Sequence, residues 1–137
     1  MSEPLRTQTV LIVDEDLGFV FWLGQALADA GHQVVPALSC EQAFFHIRHF
    51  NVDADAVFVN PALSGVPNLL QTLGRANSRL RIVLIKSPDM EVSEAMPAHA
   101  LLEKPRGWEE ISRQEWLLKV ETILTDEPPL ASCAGSA

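Results

Sequence analysis

The chain has 137 residues, enough for one domain with its own core, and 47% of them are hydrophobic in dispersed runs. Its formal charge of −8 argues against nucleic acid as a partner, because phosphate backbones reward clustered Lys and Arg. No apolar run approaches the roughly 20 residues that span a bilayer, so no membrane association is expected. The start, Met1-Ser2-Glu3-Pro4, lacks the basic-then-apolar pattern of a secretory signal, and Cys40 and Cys133 are too few and too far apart for a disulfide framework. A reducing cytoplasm is the expected compartment.

In chain order, residues 1–7 read as a short N-terminal arm. Val10 to Val13 is a continuous aliphatic run, as in a central parallel strand covered on both faces. It ends in Asp14-Glu15-Asp16, with Asp16 placed to cap a helix from Leu17 to Ala30. Phe19, Leu23, Ala26, Leu27 and Ala30 recur at helical spacing and are expected to face the sheet. Val20, Phe21, Gly24 and Ala28 would then form a second, outward apolar stripe, a candidate interface for a partner or a second copy. Gly31 ends this helix. A second strand spans 32–36. Ser39-Cys40-Glu41-Gln42 is a capping box opening a helix that turns Ala43, Phe44, Ile47 and Phe50 inward. Cys40 reads as a packing residue, and His46 and His49 as helix-surface residues.

Ala56 to Val59 forms a third strand that delivers Asn60 at its end. A loop with Pro61, Gly65 and Pro67 leads to a helix reaching about Gly74. Ile82 to Ile85 is a fourth strand ending in Lys86-Ser87. Asp89 to Met96 allows only short turns before Pro97. Ala100 to Glu103 is a fifth strand ending in Lys104-Pro105. Ser112-Arg113-Gln114-Glu115 reads as a second capping box, with Ile111 and Trp116 as a hydrophobic staple, for a last helix from Arg113 to about Leu124. Trp108, in the loop before it, is a further interface candidate. Residues 126–137, rich in Pro, Ser, Ala and Gly, read as a disordered tail. The (βα)₅ alternation with right-handed crossovers gives a doubly wound, flavodoxin-like parallel sheet of order 2-1-3-4-5.

In such sheets ligands gather at the C-terminal strand ends. Asp14 and Glu15, Asn60, Lys86 and Lys104 stand there in the order seen in receiver domains of bacterial two-component signalling, and Ser64-Gly65 and Lys104-Pro105 fit that family's loops. Residues 8–125 therefore resemble a response-regulator receiver, in a degenerate form. The resemblance assigns the phosphoacceptor position to Asn60, whose amide is a poor nucleophile. Pro61 has no backbone N–H, so deamidation through a succinimide is blocked. The hydroxyl position after the fourth strand is Lys86, the aromatic switch position is Leu101, and the fourth helix is shortened. Only weak Mg²⁺ binding at Asp14 and Glu15 is expected, with Lys86 and Lys104 neutralising the acids instead.

The resemblance implies a pseudo-receiver that is no enzyme, needs no cofactor and acts by protein–protein contact. Its partners would be a histidine kinase, a phosphotransfer protein or another regulator, with a homodimer also possible. No DNA-binding domain follows, so a stand-alone role is expected. The alternatives are a phosphorelay receiver using Glu15, Asp16 or Ser87 as acceptor, and a small-ligand-binding flavodoxin-like module, for which no Gly-rich phosphate loop is present.

Overall fold

The computed structural model describes residues 8–87, 89, 91, 98–104 and 110–125. Five strands, β1 (Thr9–Val13), β2 (Gln33–Ala37), β3 (Ala56–Val59), β4 (Arg81–Lys86) and β5 (Ala100–Glu103), form one parallel sheet of order β2-β1-β3-β4-β5. The helices are α1 (Leu17–Asp29), α2 (Cys40–Phe50), α3 (Val66–Ala76) and α4 (Glu110–Thr125). Architecture and strand order are those expected from the alternation of apolar runs. The N-terminal arm, the tail, Trp108 and most of the segment assigned to a shortened fourth helix lie outside the described residues. Among the described residues no helix is long and apolar enough to cross a membrane.

The unbroken apolar runs follow from two-sided burial. Leu11, Val13, Val57, Val59 and Leu84 point to one face and pack with α2 and α3. Val10, Ile12, Phe58, Val83 and Ile85 point to the other, against α1 and α4. Alternate residues of each strand thus serve two separate cores. On the second face Trp116 meets Phe19 and Trp22 edge-on, at 5.6 and 5.9 Å between ring centroids. Its indole N–H donates to the Glu103 carbonyl at 3.1 Å, tying α4 to the end of β5.

Capping chemistry sets three of the helix ends. The Asp16 side chain accepts from the Phe19 N–H and starts α1, and Ser39 accepts from the Gln42 N–H and starts α2. Gly31, at φ +98°, turns the chain out of α1 in a conformation other residues resist. α4 begins at Glu110, so Ser112 lies inside its first turn and the Ser112 capping box does not set its start. α3 runs past Gly74 to Ala76.

The stripe assigned to the outside of α1 needs correction. Val20 is only 4% exposed and belongs to the α1-side core. Gly24 is partly buried and faces β2 rather than out, since a Cβ there would make ordinary contact with Val34 Cγ1 at 3.5 Å. At about 100° per residue, the covered arc runs from Trp22 through Phe19 to Gly24, roughly 200° of the circumference. The helix is wedged between the sheet and α4, which widens its buried face. Leu17, Phe21, Gln25 and Ala28 remain outside, with Phe21 74% exposed. Phe50, expected to point inward, is exposed, because α2 ends there and Asn51 turns away at φ +54°.

Buried and exposed faces of α1 give opposite mutational outcomes. Leu23→Ala should destabilise by about 2–5 kcal/mol in chemical denaturation. Phe21→Ala should stay within about 0.5 kcal/mol of wild type. A pH effect arises where β4 meets β5. His99 Nδ1 accepts from the Ile82 N–H at 2.9 Å, while the His99 N–H donates to the Ile82 carbonyl at 2.7 Å. Partial burial, helped by the nearby Arg81 charge, holds the imidazole below its ordinary 6.5. The contribution to stability is therefore complete above about pH 6.5 and is lost as pH falls through the folded-state value. His99→Asn keeps an acceptor that does not titrate, so wild type should lose more stability than this variant between neutral and mildly acidic pH, read as the shift in urea midpoint.

Candidate functional site

The site forms where β1, β3 and β5 end. The Asp14 N–H donates to the Ala37 carbonyl and the Asn60 N–H to the Val13 carbonyl, at 3.1 and 2.9 Å, so both residues are fixed by extensions of the sheet ladder. Asp14 is 1% exposed. Its Oδ1 accepts from the Asp16 N–H at 3.0 Å and from Asn60 Nδ2 at 3.3 Å. Asn60 Oδ1 accepts from the Ala62 N–H at 2.9 Å, closing a turn over Pro61. That bond orients the amide, since only its oxygen can face a backbone N–H, and so its NH₂ faces Asp14.

Lys104 closes the other side. Its Nζ lies 2.7 Å from Asp14 Oδ2 and 3.6 Å from Asp16 Oδ2, and 5.0 Å over the Phe19 ring centroid. A buried carboxylate is costly unless paired and hydrogen-bonded. Here both oxygens are engaged, by an ammonium, a carboxamide and a backbone amide. Asp14, Asn60 and Lys104 are thus brought together. Glu15 is exposed.

Lys86 departs from expectation. Its Nζ lies 3.3 Å from Glu103 Oε2 and 3.3 Å from the Ser87 carbonyl, rather than on Asp14 or Glu15. The cause is register: β4 and β5 align Lys86 directly with Glu103. Neutralisation of Asp14 therefore falls to Lys104. Leu101, at the switch position, is half-exposed on β5. Cys40 is buried, and burial pushes its thiol up from the ordinary value, against the opposite pull of a helix N-terminus.

Sequence reasoning missed a second buried cluster. His32 Nδ1 accepts from the Gln8 N–H at 3.2 Å and its Nε2 faces Glu121 Oε2 at 3.3 Å, while Gln8 Nε2 donates to the Leu124 carbonyl at 2.8 Å. These bonds tie β1 and β2 to the end of α4. A His directly after a helix-ending Gly carries no local signal of this role.

A divalent cation of the kind the resemblance implies wants several free oxygens. The described residues contain no group of three or more His, Cys, Asp or Glu side chains that could hold a metal. A cation at Asp14 would share that carboxylate with the Lys104 ammonium and two N–H donors, and repulsion from Lys104 would oppose its binding.

No family model and no curated protein matches the sequence. Solved structures do. NtrX from Brucella abortus, in complex with ADP, matches 87% of this chain at TM-score 0.69 and 22% identity, although this chain spans only 26% of that protein's chain. A response regulator from Thermotoga maritima matches 88% of this chain and 100% of its own at TM-score 0.66 and 22% identity. The chemotaxis response regulator CheY4 of Vibrio cholerae matches 84% of this chain and 99% of its own at TM-score 0.63 and 17% identity. The fold is that of a response-regulator receiver.

Removing Lys104 should expose how much the cluster depends on it. Lys104→Met leaves Asp14 buried without its counter-charge and should destabilise by roughly 3–5 kcal/mol. Adding Asp14→Asn should recover most of that loss. Urea denaturation of the two variants measures both effects.

Proposed function

We propose that this chain is a receiver-type signalling module that works by protein–protein contact, without phosphorylation at Asn60. The observation that carries this reading is the Asn60 amide bonded to Asp14, with Lys104 on the other oxygen of the same carboxylate. Phosphoryl transfer to a receiver needs an attacking carboxylate and a cation beside it. An amide stands at the attacking position, and the oxygens that would bind a cation are already engaged. The pocket resembles a receiver held permanently in one state by internal charge balance. The likeness to solved response regulators supports the signalling class, as does the sequence resemblance at Asp14, Glu15 and Lys104.

The contact surface in this reading is the exposed stripe of α1, centred on Phe21 with Leu17 and Ala28. Burying Phe21 would contribute roughly 1.5–3 kcal/mol to an interface. The partner class is a histidine kinase, a phosphotransfer protein or another regulator. Phe21 is dispensable for the core, so a substitution there separates binding from folding.

Intact-mass measurement after incubation with a small phosphodonor and Mg²⁺ tests the first half of the proposal. No adduct is expected. A stable adduct mapped to Glu15, Asp16 or Ser87 would overturn it in favour of a relay receiver with a different acceptor.

A further inference from the structure

A second exposed apolar patch lies on α2, on the sheet face opposite α1. Phe45 is 51% and Phe50 66% exposed. The rings are already assembled on the surface. Phe45 stacks on His49 at 4.2 Å and meets Phe50 edge-on at 6.2 Å, and Phe50 lies 5.8 Å from His46. Pre-ordered aromatics supply contact area with little further loss of side-chain freedom.

The charges beside this patch have a definite order. Glu41 stands four residues before Phe45 and Arg48 three after it, and all three are exposed. At about 100° and 1.5 Å per residue they share a stripe about 60° wide and about 10 Å long. Read along the helix, the stripe is acid, aromatic, base. Read from a second copy running antiparallel, it is base, aromatic, acid.

We infer that α2 is a self-association surface, with a two-fold axis near Phe45 and Glu41 of each copy facing Arg48 of the other. A two-fold interface must be complementary to itself, and this stripe meets that condition. The exposed stripe of α1 does not. It has Glu15 and Asp16 at one end and Asp29 at the other, and Arg113 is already bound to Asp29. Antiparallel pairing of two α1 helices would set the acidic start of one against Asp29 of the other, and α1 itself carries no Lys or Arg to offset them. Dimerisation through α2 also leaves α1 uncovered, because the two helices pack on opposite faces of the sheet. The inference stands apart from the proposed signalling role.

Sedimentation equilibrium of the full chain, from micromolar to submillimolar concentration, tests it. Wild type should show a reversible dimer, and Phe45→Asp should abolish it. Glu41→Arg and Arg48→Glu should each weaken association by about tenfold, since every exchange turns two attractions into repulsions. The double variant should restore wild-type association. Phe21→Asp should dimerise as wild type does, which separates this surface from α1. Circular dichroism melts establish that each variant is folded; if Phe45→Asp is not, the two exposed charge reversals and their double variant decide. A wild type monomeric through the whole range, a dimer untouched by Phe45→Asp, or a double variant as weak as the single ones would overturn the inference.

Discussion

The carboxylate of Asp14 is the constraint around which this structure is arranged. It is buried, and an unpaired buried charge is among the most costly features a small domain can carry. Its partners come from three places far apart in sequence: Asn60 at the end of β3, Lys104 just past β5, and the backbone of Asp16 at the start of α1. Satisfying one acid therefore fixes the relative positions of three element ends. The chain as a whole is strongly acidic, yet at this point one carboxylate oxygen accepts two N–H donors and the other faces the Lys104 ammonium.

The same cluster reaches into the core beneath α1. Asp16 both lies near Lys104 and caps the helix, and the Lys104 ammonium sits over Phe19. Phe19 packs edge-on against Trp116, whose indole holds the Glu103 carbonyl next to Lys104 in sequence. The pocket, the N-terminus of α1 and α4 thus share one set of contacts. A change in the charge of Asp14 would be felt first at the cap of α1 and at the aromatic packing below it.

Much of this was legible in the sequence, for identifiable reasons. Two-sided burial makes central strands continuous apolar runs, so Val10–Val13 and Ala56–Val59 stand out, and their polar ends mark the site. Asp16 and Ser39 announce helix starts because their side chains can accept from the next turn. What failed depended on relations no local pattern carries. The pairing of Lys86 with Glu103 follows from inter-strand register. The burial of Val20 and the partial burial of Gly24 follow from α1 being covered by α4 as well as by the sheet, which a simple two-face division of the helix does not anticipate. Phe50 looked like a core residue by spacing, but the helix ends at that position. The Ser112 capping box is a correct local motif that the longer α4 absorbs.

Asn60, at the end of β3, makes the strand-end site self-consistent. A carboxylate at position 60 would place a second buried acid beside Asp14, with Lys104 the cation already committed there. Like charges at that separation repel strongly where solvent is excluded, and such a pair calls for a further cation or a bound proton. The amide removes that charge and supplies something a carboxylate cannot, an N–H donor to Asp14 Oδ1. Its oxygen meanwhile keeps the turn over Pro61 that a carboxylate oxygen would also accept. Asn60 thus converts a pocket that would demand an external ion into one balanced by its own side chains.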